Sequence, residues 1–413
     1  MTEIKDALLD FNPWWKGPFH LDYKERELYA KLQKYLPLPQ ILAFTGLRRV
    51  GKTTILYKII QDFTEKGTNP RKILYFSFDD FKEAELRMVL QAAEELTEVK
   101  PQLIIFDEIQ KVPGWEGQLK VLYDLLGKKT KILISGSESL FIKKKLKETL
   151  AGRIFEFKVE LLTFKEFLNF QGLTFHPSSL YEKELAKAFQ EYIQSMGFPE
   201  LLSITDKEII KKYIQEGIID KIIYKDIPAL FKVKDVSVLQ SLLNVFMHEP
   251  GQIIELSALA TQFHLSRQTI SNYLVYLEES FLLQKLYNFS NNRRKVERKL
   301  KKYYPAVIAV DLLFKEDDLS RSHVFEWLLV TQKKADFFWR DNYQHEVDMV
   351  LGGEKIFPVE IKYGKISFQG LLPFLKKFKL KEGWIISSSQ QEEKEIDGKK
   401  FHIIPAWKWL LQT

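Results

Sequence analysis

The sequence contains no cysteine in its 413 residues. Disulfide bonds, thiolate zinc sites and cysteine nucleophiles are therefore excluded. It also lacks an apolar run long enough to span a bilayer. Acidic residues stand near its start, where a secretory signal needs basic residues and then an apolar segment. No internal repeat or low-complexity segment is found. Together these absences predict a cytoplasmic globular protein with no membrane partner.

What is present is ordinary for a globular chain, with 45% hydrophobic and 28% charged residues. This composition argues against extended disorder, and the length predicts two or three domains. The formal net charge is +7. A basic balance is compatible with a nucleic-acid partner, although many basic proteins never contact DNA.

The hydrophobic pattern changes along the chain in a way that predicts an α/β protein of several parts. Residues 1–39 form an aromatic lead-in, and residues 40–160 alternate short apolar runs with helical patterns. Continuously apolar strands separated by helices are typical of a parallel sheet covered on both faces. The strands are expected at Ile41–Thr45, Ile73–Ser77, Leu103–Phe106, Lys131–Ser135 and Ile154–Val159.

The rest of the chain divides into three further segments. Residues 161–240 are expected to be helical throughout, like a lid. Residues 241–302 have a helix-turn-helix rhythm followed by a strand and a basic stretch. Residues 303–413 return to mixed strands and helices, which predicts a second, smaller α/β domain.

A glycine-rich loop lies between the first strand and the following helix. Gly46, Gly51, Lys52 and Thr53 match the pattern G-x-x-x-x-G-K-[ST]. Such a loop points backbone N–H groups at phosphates, Lys52 adds positive charge, and the Thr53 hydroxyl is placed to bind Mg²⁺. A plain surface turn is the alternative, but the flanking strand and helix disfavour it. The residues predicted to hold ATP are Gly46, Arg49, Val50, Gly51, Lys52, Thr53 and Thr54.

About fifty residues further on, a buried strand ends in two carboxylates, Asp107 and Glu108. We expect Asp107 to hold Mg²⁺ together with Thr53, and Glu108 to orient the attacking water. A strand ending in Asp-Glu is common by itself. Combined with the loop at Gly46, it predicts hydrolysis of ATP to ADP and phosphate rather than binding alone.

Two later features are candidates for the same site. The next strand runs into Ser135-Gly-Ser137, and the carboxyl end of that strand is expected beside the phosphates. Either serine is a candidate γ-phosphate sensor, although Ser-Gly-Ser is also an ordinary loop. Arg153 is a candidate for stabilising transition-state charge, in cis or across a subunit boundary. The alternative for Arg153 is a surface ion pair of small value.

Several strings together resemble a known family. They are T-G-L-R-R-V-G-K-T-T at 45–54, F-D-E-I-Q-K-V-P-G-W at 106–115, S-G-S at 135–137, A-G-R at 151–153 and G-F-P-E at 197–200. This combination resembles the predicted archaeal and bacterial P-loop ATPases of the AAA+ superfamily. In that family the ATPase core is followed by a helical segment, a winged helix and a restriction-endonuclease-like domain. The resemblance implies a sensor role for Ser137, an arginine-finger role for Arg153, and a homo-oligomeric ring.

The segment 256–279 suits a helix-turn-helix, with Ser266 as the N-cap of its second helix. The outer face of that helix carries residues able to reach DNA, namely Arg267, Gln268, Ser271 and Asn272. A basic stretch follows the next strand, with Arg293, Arg294, Lys295, Arg298, Lys299, Lys301 and Lys302. DNA contact is the functional interpretation. The alternatives are an interdomain packing module and a solvated charged face.

The C-terminal segment carries a set of charged residues on predicted strands. Glu360 and Lys362 share one face of a strand, Asp348 lies one hairpin away, and Glu326 lies in an upstream helix pattern. Two carboxylates and a lysine can hold a divalent metal and activate water. The set resembles the active-site pattern of PD-(D/E)XK nucleases. Alternating charge on a half-exposed hairpin gives the same pattern without any activity.

Three functions follow from these observations. The first is an ATP-hydrolysing protein that acts on DNA, with hydrolysis coupled to rearrangement of the winged helix and nuclease-like module. The second is a nucleotide-controlled switch or scaffold that acts through protein partners. The third is an ATP-gated, metal-dependent nuclease.

Overall fold

The computed structural model describes residues 2–81, 83–137, 149–176, 178–292, 294, 296, 300–352 and 355–412. These residues form two compact units, residues 1–161 and residues 162–413. The predicted end of the ATPase core at residue 160 lies next to the division between them. Among the described residues, no helix is both long and apolar enough to cross a membrane.

The first unit is built on a parallel sheet of five strands, in the order β2-β3-β4-β1-β5. Every residue of β1, β3 and β4 is buried, because helices and the lead-in cover the sheet. The predicted parallel sheet is thus confirmed. The elements are α1 (Thr2–Phe11), α2 (Glu27–Leu32), β1 (Ile41–Thr45), α3 (Lys52–Glu65), β2 (Ile73–Ser77), α4 (Leu86–Thr97), β3 (Leu103–Asp107), α5 (Trp115–Leu126), β4 (Lys131–Ser135) and β5 (Ile154–Lys158).

The lead-in belongs to this compact unit. The Asn12 side chain both donates to the carbonyl of Tyr75 and accepts from its N–H, each at 2.8 Å. The indole N–H groups of Trp14 and Trp15 donate to the carbonyl of Ile73 at 3.1 and 2.8 Å. Since β2 is an edge strand, these side chains satisfy backbone groups that would otherwise lack a neighbouring strand.

The second unit begins with helices, and the described part of residues 161–240 contains no strand. The helical stretch 207–230 includes two π-helical segments, Gln215–Ile219 and Ile222–Asp226. The α-helices are α6 (Phe164–Phe170), α7 (Glu182–Ser195), α8 (Lys207–Ile214), α9 (Ile227–Leu230) and α10 (Val236–His248).

A second sheet follows, with the order β10-β9-β7-β8-β6. The strand β7 pairs with β8 on one side and with β9 on the other. The boundary predicted between residues 302 and 303 therefore falls inside a strand, and the helix-turn-helix segment shares a sheet with the C-terminal segment. The elements are β6 (Gln252–Ile254), α11 (Leu256–Gln262), α12 (Arg267–Glu279), β7 (Leu283–Asn288), β8 (Lys301–Pro305), α13 (Val310–Leu313), α14 (Asp318–Lys333), β9 (Phe337–Arg340) and β10 (Glu346–Val347).

The third sheet has the order β11-β12-β13-β15-β14. The chain over residues 346–351 forms two strands divided at Asp348, because its first part pairs with β9 and its second part with β12. A core that includes Trp339, Phe374 and Phe401 packs beside this sheet. The remaining elements are β11 (Met349–Leu351), β12 (Phe357–Lys362), α15 (Leu371–Lys377), β13 (Glu382–Ser387), β14 (Glu392–Ile396), β15 (Lys399–Pro405) and α16 (Ala406–Gln412).

Candidate functional site

The loop between β1 and α3 can form only because glycine stands at two positions. Gly46 has a φ of 140°, and a Cβ there would lie 2.2 Å from the carbonyl oxygen of Val159. Gly51, at the N-cap of α3, has a φ of 92°. Both conformations are unfavourable for residues with a side chain. The first turn of the 14-residue α3 then presents backbone N–H groups to the loop, which is the geometry of an anion site.

Lys52 lies inside this loop, with 6% of its surface exposed. Its ammonium donates to the carbonyl oxygens of Gly46 and Leu47 at 3.0 and 2.8 Å. These carbonyls stabilise the buried charge in the free loop, and phosphate oxygens are stronger acceptors for the same ammonium. Arg49 is exposed, Val50 is buried and Thr54 lies in the exposed part of the first helical turn.

Asp107 joins the loop to the carboxyl ends of two other strands. Its Oδ2 accepts hydrogen bonds from the hydroxyls of Thr53 and Tyr75, both at 2.8 Å. Its Oδ1 accepts from the Ser135 hydroxyl and, at 3.1 Å, from the N–H of Glu108. Thr53 and Asp107, predicted from separate motifs, are thus in contact. A hydroxyl and a carboxylate are hard oxygen ligands of the kind that Mg²⁺ prefers.

Glu108 follows in a left-handed conformation, with a φ of 53°. Its Oε2 accepts from Gln110 Nε2 at 2.6 Å, and the same amide donates to the Ser137 hydroxyl at 3.1 Å. Burial raises the pKa of Glu108 and the charge of Asp107 acts in the same direction, while Lys52 and Arg48 oppose it. Backbone strain and a shifted pKa at one carboxylate are typical of a functional position.

Three residues of this site were missed by the sequence interpretation: Arg26, Tyr75 and Gln110. The guanidinium of Arg26 donates to the carbonyls of Val50 and Glu160, at 3.0 and 2.7 Å, so it supports the loop from behind. No motif marks Arg26, whereas Gln110 stands within the string that carried the resemblance.

Arg153 lies at the amino end of β1, opposite the end of the sheet that carries the loop. Its carbonyl accepts from the N–H of Ile41, at the start of β1, whereas the loop follows the end of β1. Five residues of strand separate the two edges by about 16 Å. The guanidinium instead approaches Asp124, with Nε 3.4 Å from Oδ1. A role for Arg153 at the phosphates of its own chain is therefore wrong on geometry, and the role across a subunit boundary stays a prediction.

The C-terminal charged residues converge around a lysine that was assigned to the basic stretch. Lys302 is 4% exposed, and its ammonium contacts Glu326 at 2.8 Å and Glu346 at 2.7 Å. It also lies 3.8 Å from Asp348. The Tyr304 hydroxyl donates to Glu326 at 2.6 Å. Lys302 is therefore not part of a solvated positive patch, because β8 directs it into the interior.

Glu360 and Lys362 form an ion pair of 2.7 Å on β12, and Asp348 Oδ2 accepts from the N–H of Ile361 at 2.7 Å. Burial raises the pKa of Asp348 well above its usual range, and Glu360 and Glu326 add to this. Burial also raises the pKa of Glu360, to about 7. Within the described ranges no group of three or more acidic or histidine side chains is arranged to hold a metal ion. The predicted metal role of Asp348 and Glu360 is thus not matched by a metal-like geometry.

The helix-turn-helix elements form where they were expected. The Ser266 hydroxyl accepts from the N–H of Thr269 at 3.1 Å and caps α12. Arg267, Gln268 and Asn272 are exposed, and Ser271 is half-buried. Arg294 is also exposed. Arg293, Lys295, Arg298 and Lys299 lie outside the described residues, so their predicted DNA contacts stay predictions.

Comparison with known proteins finds three segments that match protein families. Residues 38–168 match the model of a family described as AAA domain. Residues 186–306 and 322–409 match two families described as domains of unknown function, DUF8612 and DUF4143. Residues 38–168 are thus similar to AAA domains, and the two further segments match families without a described function.

Similar proteins occur in archaea and bacteria. An uncharacterized protein of Methanocaldococcus jannaschii is 27% identical over 90% of this chain and 88% of its own length. An uncharacterized protein of Haemophilus influenzae is 29% identical over 59% of this chain and 62% of its own. The crystal structure of Cdc6p from Pyrobaculum aerophilum covers 77% of this chain and 98% of its own, with 12% identity and a TM-score of 0.31. A TM-score this low does not establish a common fold.

Proposed function

We propose that this chain binds ATP with Mg²⁺, hydrolyses it, and uses the cycle to change how its second unit holds DNA. The observation that carries the nucleotide part is the 2.8 Å contact between Thr53 and Asp107, beside a loop that requires glycine at position 46. Phosphates fit the loop N–H groups and Lys52, and Mg²⁺ fits the two oxygen ligands.

Each residue then has a defined role. Lys52 exchanges the carbonyls of Gly46 and Leu47 for the β- and γ-phosphate oxygens. Bound Mg²⁺ supplies charge neutralisation at the phosphates. Glu108 exchanges Gln110 for the attacking water and orients it. Because Gln110 also bonds Ser137, release of Glu108 is linked to a residue expected to sense the γ-phosphate.

The DNA part is supported by the outer face of α12 and by the cations that follow β7. Arg267, Gln268 and Asn272 are exposed side chains that can contact phosphates or base edges. Gln268 and Asn272 are already oriented by a mutual hydrogen bond of 2.9 Å. Since β7 pairs with both β8 and β9, the helix-turn-helix segment and the C-terminal strands share a sheet. We therefore place the ATP-driven rearrangement outside that sheet.

The nucleotide proposal is tested by binding and turnover measured on the same variants. Lys52→Ala is expected to lose ATP affinity, because it removes the buried positive charge. Glu108→Gln is expected to keep ATP affinity within about threefold while losing turnover by a factor of about 10² or more. Unchanged turnover in Glu108→Gln would refute the assignment of the water-orienting residue.

The DNA proposal is tested by fluorescence anisotropy with labelled duplex and single-stranded DNA at several salt concentrations. Arg267→Ala is expected to weaken binding and to reduce the salt slope by about one phosphate contact. Arg321→Ala removes an exposed arginine from α14 and is the matched control. If DNA neither binds nor alters ATP turnover, the switch acting through protein partners replaces this proposal.

A further inference from the structure

The carboxylates of the second unit already have a cation at their centre. Three of them, Glu326 on α14, Glu346 on β10 and Asp348 between β10 and β11, surround the ammonium of Lys302 at 2.8, 2.7 and 3.8 Å. Glu346 and Lys302 had no part in the predicted metal set. Since Lys302 is 4% exposed, this contact is buried and not a surface ion pair.

The spacing of these oxygens fits an ammonium group and not a metal ion. The distances of 2.7 and 2.8 Å to Glu346 and Glu326 are normal for N–H···O hydrogen bonds, and Asp348 at 3.8 Å is within ion-pair distance. Mg²⁺ and Ca²⁺ require oxygens at about 2.0 to 2.6 Å. This spacing agrees with the lack, in the described part of the chain, of any acidic group arranged for metal.

Glu360 adds an independent observation. Its Oε1 is paired with Lys362, but its Oε2 is buried without a hydrogen-bond partner among the residues that the structure describes, and the residue is 5% exposed. The carboxylate is close enough to Asp348 to raise the pKa of that group. A buried carboxylate oxygen without a donor is an acceptor for a ligand that the chain itself does not supply.

We propose that Lys302 is the resident cation of this carboxylate cluster, and that it closes a divalent-metal site in the folded chain. Lys302 takes the position in which a metal ion would neutralise Glu326, Glu346 and Asp348. The oxygen of Glu360 is the further ligand that such an ion would gain. Metal binding at Asp348 and Glu360 therefore requires Lys302 to leave. This inference goes beyond the ATPase and DNA proposal and does not depend on it.

The test uses the full-length chain without nucleotide, and Mn²⁺ as the probe. Binding is measured by the loss of the free Mn²⁺ signal in electron paramagnetic resonance, and by the shift in Tm on adding Mn²⁺. The wild type is expected to bind no Mn²⁺ that depends on Asp348. Lys302→Met is expected to gain one Mn²⁺ at this cluster, with an apparent affinity at least roughly tenfold above that of the wild type. Lys302→Met with Asp348→Asn is expected to lose this gain.

Lys285→Met is the matched control, because it also removes a lysine of the same hairpin from a short carboxylate contact, with Glu278 at 2.6 Å. It is expected to gain no Mn²⁺ binding. A folded Lys302→Met chain without new Mn²⁺ binding overturns the proposal. So does a wild-type chain that loses Mn²⁺ binding on Asp348→Asn.

Lys302→Met leaves three carboxylates without their cation, which destabilises the folded chain. A companion variant, Lys302→Met with Glu346→Gln, removes one of the uncompensated charges and keeps Glu326, Asp348 and Glu360. Mn²⁺ binding by this companion supports the proposal, and its absence in a folded companion overturns it. If neither variant folds, the comparison of wild type with Asp348→Asn decides: Mn²⁺ binding equal in both supports a closed site, and binding lost in Asp348→Asn overturns it.

Discussion

The phenol of Tyr75 donates a hydrogen bond of 2.8 Å to Asp107 Oδ2, the same oxygen that accepts from Thr53. Tyr75 lies on β2, the strand next to β3, and its side chain is buried. Its one polar side-chain group, the hydroxyl, is used in the hydrogen bond to Asp107. Tyr75 therefore acts through Asp107, as a positioning residue for the expected Mg²⁺ ligand.

We expect Tyr75→Phe to lower kcat for ATP hydrolysis by about three- to tenfold, with KM for ATP nearly unchanged. A typical intramolecular hydrogen bond is worth about 0.5 to 1.5 kcal/mol, and a loss of about 0.7 to 1.4 kcal/mol corresponds to this range. Steady-state kinetics at saturating Mg²⁺ measure the effect. Tyr29→Phe is the control, because it removes a similar phenol–carboxylate bond, to Asp62 at 2.6 Å. A KM effect without a kcat effect would contradict the positioning role.

The Thr53 hydroxyl is predicted to separate metal-dependent from metal-independent nucleotide binding. Thr53→Ala should weaken binding of ATP in the presence of Mg²⁺ by about tenfold, and change binding in the presence of EDTA much less. Thr53→Ser keeps the hydroxyl and should restore the Mg²⁺ effect. Isothermal titration calorimetry with and without Mg²⁺ provides the comparison. Equal losses under both conditions would mean that Thr53 only shapes the loop.

Arg153 is predicted to act on the nucleotide of a neighbouring copy, since it lies at the far edge of its own sheet. Arg153→Ala alone should lower turnover by about 10³ or more, since an arginine finger is worth about 10³ to 10⁵ in kcat. Mixing it with Glu108→Gln should restore activity, because some interfaces then combine an intact Glu108 of one copy with an intact Arg153 of the neighbouring copy. Turnover is measured across mixing ratios.

Asp124→Ala is the control for this experiment, because it breaks the ion pair with Arg153 and leaves the arginine in place. It should keep turnover near the wild-type value. If Arg153→Ala is fully active, Arg153 makes only a surface ion pair of small value with Asp124. If the mixture stays inactive, the role across a subunit boundary is wrong.

The nucleotide site was predictable because its residues are close in sequence or follow buried strands. A strand covered on both faces appears as a continuous apolar run, so Ile41–Thr45 and Leu103–Asp107 stand out and place the loop beside Asp107. Tyr75 was not predictable in this way. Its contact with Asp107 depends on β2 being the neighbour of β3, and a local sequence pattern does not predict the order of strands in a sheet.

Lys302 shows a different limit. Along the chain it follows a run of cations, so charge counting assigns it to a solvated patch. In the structure it pairs with Leu286 of β7 and Ile253 of β6, and the strand alternation turns its side chain inward. The register of β8 decides its burial. Arg153, in contrast, was within reach of sequence reasoning, since a residue preceding a parallel strand lies at the edge opposite the phosphates.

Lys131 should make the stability of the first unit depend on pH in the alkaline range. Its ammonium donates to the carbonyls of Tyr35, Leu38 and Gln40 at 3.1, 2.8 and 2.7 Å. Burial lowers the pKa of Lys131 from 10.5 to about 8. Between these two values the unfolded chain holds a proton that the folded chain has released.

Unfolding therefore takes up a proton in this window, and the Lys131 contribution to the free energy of unfolding rises with pH from about 8 to 10.5. Below about pH 8 both states are protonated and the contribution is constant. We expect the difference in Tm between wild type and Lys131→Met to grow in favour of the wild type from pH 8 upward. This difference in Tm is measured on the unfolding transition whose Tm increases when ATP is added. Lys120→Met, an exposed lysine of α5, should show no such trend. A difference that falls with pH would mean that the three carbonyls keep Lys131 charged throughout this range.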